Sequence, residues 1–243
     1  MEKRYSLLKE ALSRFSLEDT LKLETLDRQF KALERLHSSL KDKELFFKLV
    51  VVNALMSYQL QMKGENYWET FADFFSKGRT LKDFDEFLRL YNSRYLNSKL
   101  RRLKRVLNVV GELSREDFKG FCKNSEGLLE FLSERLNQPR DAKTLLFAVK
   151  MLLYACRVAG EEFKPAPFSL TVPLDVRLKK ISPDLEFWKR LSREVGIPPL
   201  HLDVIVWTTM GDKSFIGRVE DRTLKEKLLR LKAVLQKLAR GEG

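Results

Sequence analysis

The stretch Asp141–Gly160, DAKTLLFAVKMLLYACRVAG, constrains this chain more than any other. From Thr144 to Cys156 it is almost continuously apolar, and Leu145, Leu146, Ala148, Val149, Leu152, Leu153 and Cys156 cover most of a helix circumference. Cations recur seven residues apart, at Lys143, Lys150 and Arg157. At 100° per residue, Lys143, Phe147, Lys150, Tyr154 and Arg157 fall within about 40° of one line. A surface helix spares far more than one narrow stripe for water. The pattern therefore predicts a helix enclosed on most sides, with its polar and aromatic stripe either solvated or lining a cleft.

The rest of the chain is also helical in period. Helix starts are marked by TLKDF at Thr80, SREDF at Ser114 and NSEGLL near Asn124, each with an acidic residue in the first turn. The short β-branched runs LVVV and DVIVW sit inside apolar patterns of 3.6-residue period. The fold class expected is all-α, with roughly a dozen helices, as one domain over residues 1–243. The segment GEEFKPAPFSLTVP, with three prolines, is expected to be the longest irregular stretch. The final segment from Arg222 is a basic amphipathic helix whose leucines pack inward.

Charge narrows the partner. Lys and Arg number 46 against 34 Asp and Glu, a net charge of +12. Such a surface suits a polyanion, because each neutralised phosphate releases a condensed counterion. The most apolar runs are too short and too interrupted by Lys to span a bilayer, and the N-terminus lacks the apolar region of a signal peptide. An intracellular protein with no membrane role is expected. Two cysteines, Cys122 and Cys156, fit free thiols in a reducing interior rather than a disulfide scaffold. His37 and His201 are far apart, no Cys/His spacing resembles a zinc site, and no phosphate-binding glycine motif is present. No metal and no cofactor are expected. The 33% charged fraction also suits a thermophile.

Two local arrangements carry chemistry. SEGLLEFLSERL, the turn NQPRDAKT and the striped helix make a helix–hairpin–helix over about 125–159, with Lys143 near the second helix's N-terminus, beside unpaired backbone N–H groups. In TVPLDVRLKKIS, Pro173 stiffens the approach and Asp175 stands as a helix N-cap. One of its carboxylate oxygens can cap while the other faces a cleft.

A hairpin whose second helix opens with Lys143, followed 32 residues later by the Asp of VPLDVR, resembles the HhH-GPD DNA glycosylase superfamily. KTLLFAVKM, together with Asp203 and Trp207 one turn apart in LDVIVW, makes the chain similar to its AGOG branch, the archaeal 8-oxoguanine DNA glycosylase/lyases. The usual Gly-x-Gly of the hairpin is absent from NQPRDAKT. The resemblance implies two helical subdomains around a cleft, a monomer, and damaged DNA containing 8-oxoguanine as partner. It implies Lys143 as a nucleophile forming a Schiff base and Asp175 as the stabiliser of positive charge on the sugar. Gln29, Trp68, Phe147, Lys150, Pro173, Asp203 and Trp207 would form the base pocket, and Arg140 and Arg177 would contact DNA. By residue type alone, the aromatics of that set are core, Gln29 is an exposed helix residue, Lys150 snorkels and Asp203 closes a surface ion pair. A non-catalytic helix–hairpin–helix module, and a same-fold glycosylase for another base, are the competing functions.

Overall fold

The structure, a computed structural model, describes residues 2–240; of the C-terminal segment, residues 241–243 lie outside the described residues. Among the described residues there are fourteen α-helices, two short 3-10 turns and no strand, so the chain is all-α as its periodicity predicts. In chain order, α1 (Glu2–Leu12), α2 (Leu17–Glu24), α3 (Arg28–Ser39), α4 (Lys43–Met56) and α5 (Gly64–Phe75) come first. Then follow α6 (Phe84–Tyr91), α7 (Leu96–Gly111), α8 (Arg115–Lys123), α9 (Ser125–Leu136) and α10 (Lys143–Val158). The last are α11 (Val176–Ile181), α12 (Leu185–Val195), α13 (Pro199–Gly211) and α14 (Arg222–Ala239). No helix among the described residues is long and apolar enough to cross a membrane.

The helix starts follow from capping. Ser114 accepts from the Asp117 N–H while Asp117 accepts from the Ser114 N–H, a reciprocal pair that satisfies two donors at the head of α8. Thr80 makes the same box with Asp83 ahead of α6, through a 3-10 turn, and the Asn124 side chain accepts from the Gly127 N–H to start α9. The β-branched runs lie inside α4 and α13, as their 3.6-residue setting requires. From Glu161 to Asp175 the chain is irregular, where the prolines stand.

The chain divides into two compact units. One spans 28–165. Its central element is α10, which packs on α4, α9, α3 and α8, while α3 also packs on α5 and α7 on α4, α6 and α9. Leu145, Leu146, Val149, Leu152 and Leu153 are buried there, each contributing about 1.5–3 kcal/mol of apolar transfer. Phe71, Phe75, Phe84 and Phe87 form an aromatic cluster between α5 and α6, with the Phe75 and Phe84 centroids 4.6 Å apart.

Cys122 on α8 and Cys156 on α10 are joined by a disulfide, which overturns the expectation of free thiols. The pairing follows from tertiary packing that linear spacing does not reveal: α8 packs on α10 and brings the two Cα atoms to 5.8 Å, within disulfide range.

The other unit comprises the described residues up to Asp27 and from Ala166 onward. There α13 packs on α2, α11, α12 and α14, and α1 on α12 and α14. Leu8, Trp188, Leu202, Ile205, Leu228 and Leu231 are at its core. The leucines of α14 at 224, 228, 231, 235 and 238 are buried, so its amphipathic pattern is used as read. Buried His201 ties this unit internally: the Ala166 N–H donates to Nε2 at 2.9 Å, so Nδ1 carries the proton and donates to Glu24 Oε1 at 2.6 Å.

Candidate active site

Lys143 is the first residue of α10, and its side chain is exposed. Asn137 ends α9 in the left-handed conformation (φ 50°), and the Ser133 hydroxyl donates to the Gln138 carbonyl oxygen at 2.6 Å to hold the turn. Ala142 then offers α10 no side-chain cap. Helix α7 braces the turn from the side. Arg102 Nη2 donates to Gln138 Oε1 at 3.0 Å and to Thr144 Oγ1 at 3.1 Å, and Arg105 donates to the Leu136 carbonyl at 3.0 Å. Neither arginine is among the site residues that the resemblance implies. Arg140 pairs with Glu126 at 2.8 Å and Glu130 at 3.2 Å, so its charge is already matched along α9.

The stripe of α10 is not a solvated face. Its ends are open, with Lys143 exposed and Arg157 half-buried, but Lys150 is 4% exposed and Tyr154 1%. Phe147 is half-buried and meets fully buried Trp68 edge to face, centroids 6.0 Å apart. The Lys150 ammonium stands 6.0 Å from the Phe147 ring centroid, within reach of its electron-rich face. The Trp68 indole N–H has no hydrogen-bond partner among the described residues. Gln29, which by residue type would be exposed, is buried on α3, the helix that packs against both α5 and α10. Lys150 is therefore no snorkelling lysine. In this unit an amine, two aromatic rings, a buried cation and an unsatisfied donor lie along α10 and its neighbour α5.

The second group belongs to the other unit. Asp175 is the N-cap of α11, as its position implies: Oδ1 accepts from the N–H groups of Arg177 at 2.9 Å and Leu178 at 3.0 Å. Its second oxygen, Oδ2, accepts from the Trp207 indole N–H at 2.9 Å. Pro173 is buried just ahead of it. Asp203 lies one turn before Trp207 on α13 and is 2% exposed, so it is not a surface ion-pair partner. Trp207 is half-buried. Arg177, expected at DNA, lies with its guanidinium carbon 4.1 Å from the Trp207 centroid. Among the described residues, no group of three or more His, Cys, Asp or Glu could hold a metal ion.

Chemically, the first unit offers an amine and an aromatic, polar enclosure, and the second a carboxylate fixed on both oxygens beside an indole. Comparison with known proteins gives these parts a context. A family model described as AGOG, N-glycosylase/DNA lyase, matches residues 9–240. An N-glycosylase/DNA lyase of Nanoarchaeum equitans is 42% identical over 197 residues, 81% of this chain and 86% of that protein. One from Thermococcus kodakarensis is 37% identical over 227 residues, covering 88% and 82%. Among solved structures, the 8-oxoguanosine complex of an 8-oxoguanine DNA glycosylase from Pyrobaculum aerophilum superposes with a TM-score of 0.76. It is 27% identical and covers 94% of this chain and 96% of its own.

Proposed function

Because this chain belongs to the AGOG family of N-glycosylase/DNA lyases, we propose that it excises 8-oxoguanine from DNA and then cuts the strand, with Lys143 as nucleophile. The observation that carries the reading is the order of groups along one face of α10: exposed Lys143, then Phe147 and buried Lys150, against the unsatisfied N–H of Trp68. A flipped purine needs an apolar ring surface and a few polar groups to fix its edge. A reaction at the sugar needs an amine beside it.

The Lys143 amine attacks C1′, and the glycosidic C–N bond breaks with its electron pair leaving on the base. Opening of the C1′–O4′ bond converts the adduct to a protonated imine, and O4′ takes up a proton. The imine acidifies C2′; loss of that proton drives the electron pair toward C3′ and expels the 3′-phosphate. An alcohol or water nucleophile forms no imine, which is why a lysine is needed. Asp175, held by the two α11 N–H groups and by Trp207, is a fixed negative charge suited to the cationic sugar. Phe147 and Trp207 are assigned to the faces of the base, and Gln29, Lys150, Asp203 and Trp68 to its polar edges, with Pro173 shaping the approach. 8-Oxoguanine differs from guanine by an N7–H donor and an O8 acceptor. Gln29 has the acceptor that N7–H requires, and Trp68 has a donor only.

Borohydride reduction in the presence of duplexes bearing 8-oxoguanine, guanine or an abasic site tests the mechanism. A covalent complex on the lesion, lost in Lys143→Gln with DNA binding retained, is the expected result. Trapping on the abasic site alone would move the base specificity elsewhere, and cutting by Lys143→Gln would overturn the nucleophile. Binding without any trapping would favour a non-catalytic DNA-binding module.

A further inference from the structure

Arg177, at the first turn of α11, does not extend from the surface. Its guanidinium lies over the Trp207 ring, 4.1 Å from the centroid, and Nη1 donates to the Trp207 carbonyl oxygen at 3.3 Å. The Trp207 indole donates to Asp175 Oδ2 at 2.9 Å, and Asp175 Oδ1 accepts from the Arg177 main-chain N–H at 2.9 Å. Asp175, Arg177 and Trp207 thus close a ring in which each touches the other two.

Gly211 makes the ring possible. It is the last residue of α13, and a Cβ built there would stand 1.9 Å from Arg177 Nη1 and 2.1 Å from Cζ. Its backbone is not in the left-handed region, so clearance rather than conformation explains the glycine. The guanidinium is planar, so it can lie flat on an indole and donate in its own plane at the same time. A lysine ammonium is a point charge and cannot do both.

We propose that Arg177 is a positioning residue for base recognition. It fixes the plane of Trp207, so that the indole's opposite face is ready for an extruded purine without a further ordering cost. The inference rests on the glycosylase reading above and assigns Arg177 to the indole rather than to a DNA phosphate.

Single-turnover excision of 8-oxoguanine and cleavage of a preformed abasic site, measured side by side, test this in Arg177→Lys and Gly211→Ala. An abasic site presents no base to Trp207, and the main-chain N–H bonds to Asp175 survive both substitutions. Excision is expected to fall about tenfold or more in each variant, with abasic cleavage falling far less. Gly211→Ala keeps the positive charge and evicts the guanidinium, so it separates placement from charge. The slope of log affinity against log salt should stay as in the wild type, whereas a lost phosphate contact would reduce it by about 1.

Equal losses in both activities would overturn the proposal, as would a loss in Arg177→Lys accompanied by a reduced salt slope and a wild-type Gly211→Ala. If one variant does not fold, by circular dichroism, the other decides alone, because each predicts the same split. A wild-type enzyme that cleaves abasic sites but excises no 8-oxoguanine would count against the proposed function instead.

Discussion

Trp68 meets Phe147 edge to face, ring centroids 6.0 Å apart and planes inclined by 75°, with the Trp68 indole N–H fully buried and paired with nothing among the described residues. A buried donor left unpaired costs about 1–3 kcal/mol, so a fold that keeps one gives up stability at that point. If a purine carbonyl takes that N–H, Trp68→Phe should separate stability from function. The ring contact with Phe147 largely remains, the orphan donor is gone, and the melting temperature should hold or rise slightly. Excision of 8-oxoguanine should drop about tenfold or more, with abasic cleavage retained. A clear loss of stability with unchanged excision would make Trp68 a core residue and nothing else.

Asp175 uses both oxygens, and that makes Asp175→Asn informative. Asparagine carries one acceptor oxygen, which can serve either the α11 N–H groups or the Trp207 indole, not both. Denaturant unfolding should show a loss of about 1–3 kcal/mol, because one of these donors is left without an acceptor while asparagine still caps as well as aspartate. Excision should fall further, by about 100-fold or more, because the fixed charge is removed as well. Stability loss alone, with excision intact, would leave Asp175 a cap and remove it from the chemistry.

The disulfide between Cys122 and Cys156 closes a loop with a sequence separation of 34. By chain entropy, a crosslink of that span contributes about 3–4 kcal/mol. It fastens α8 to α10, the helix that carries Lys143, Phe147 and Lys150. Cys122→Ser/Cys156→Ser, or the wild type under strong reductant, should melt well below the oxidised protein, and both should melt together. A thiol titration that finds two free cysteines in native protein, with no effect of reductant on melting, would refute the crosslink's role.

Local physics made the helices legible, because caps and 3.6-residue periods are short-range signals. Ser114 with Asp117 and Asn124 with Gly127 start helices where their side chains say they should. Asp175 announced its cap in the same way, and the resemblance supplied the pocket set. Partners brought together by tertiary packing carried no such mark. Arg177 and Trp207 are thirty residues apart, and only the clearance at Gly211 lets one lie on the other. Gln29 sits among DR and KALERL, a polar setting that reads as solvent-facing, yet it is buried on α3, the helix that packs on α5 and α10. Lys99 in NSKLRRLKR looks like one more cation of α7, indistinguishable in sequence from exposed Lys104, and it is fully buried.

That burial yields a pH dependence with a definite sign. Lys99 Nζ donates to the carbonyl oxygens of Gln59 and Asn92, both at 3.3 Å, and to Asn92 Oδ1, and it faces the Tyr58 ring at 5.1 Å. It thereby ties the turns after α4 and α6 to α7. Loss of hydration, with Arg94 adding repulsion, lowers its pKa from 10.5 to about 8. Below about pH 8 the lysine is protonated whether the chain is folded or not, and the cost of burying the charge is constant. Between about 8 and 10.5 the unfolded chain holds a proton that the folded one has released, so folding stability contributed by this group rises with pH. Lys99→Met removes the titration and cancels other groups from the comparison. Urea unfolding of both proteins across that window should show the wild type gaining on the variant by on the order of 2 kcal/mol. A difference that stays flat, or shrinks as pH rises, would mean the carbonyl cage holds the ammonium as well as water does.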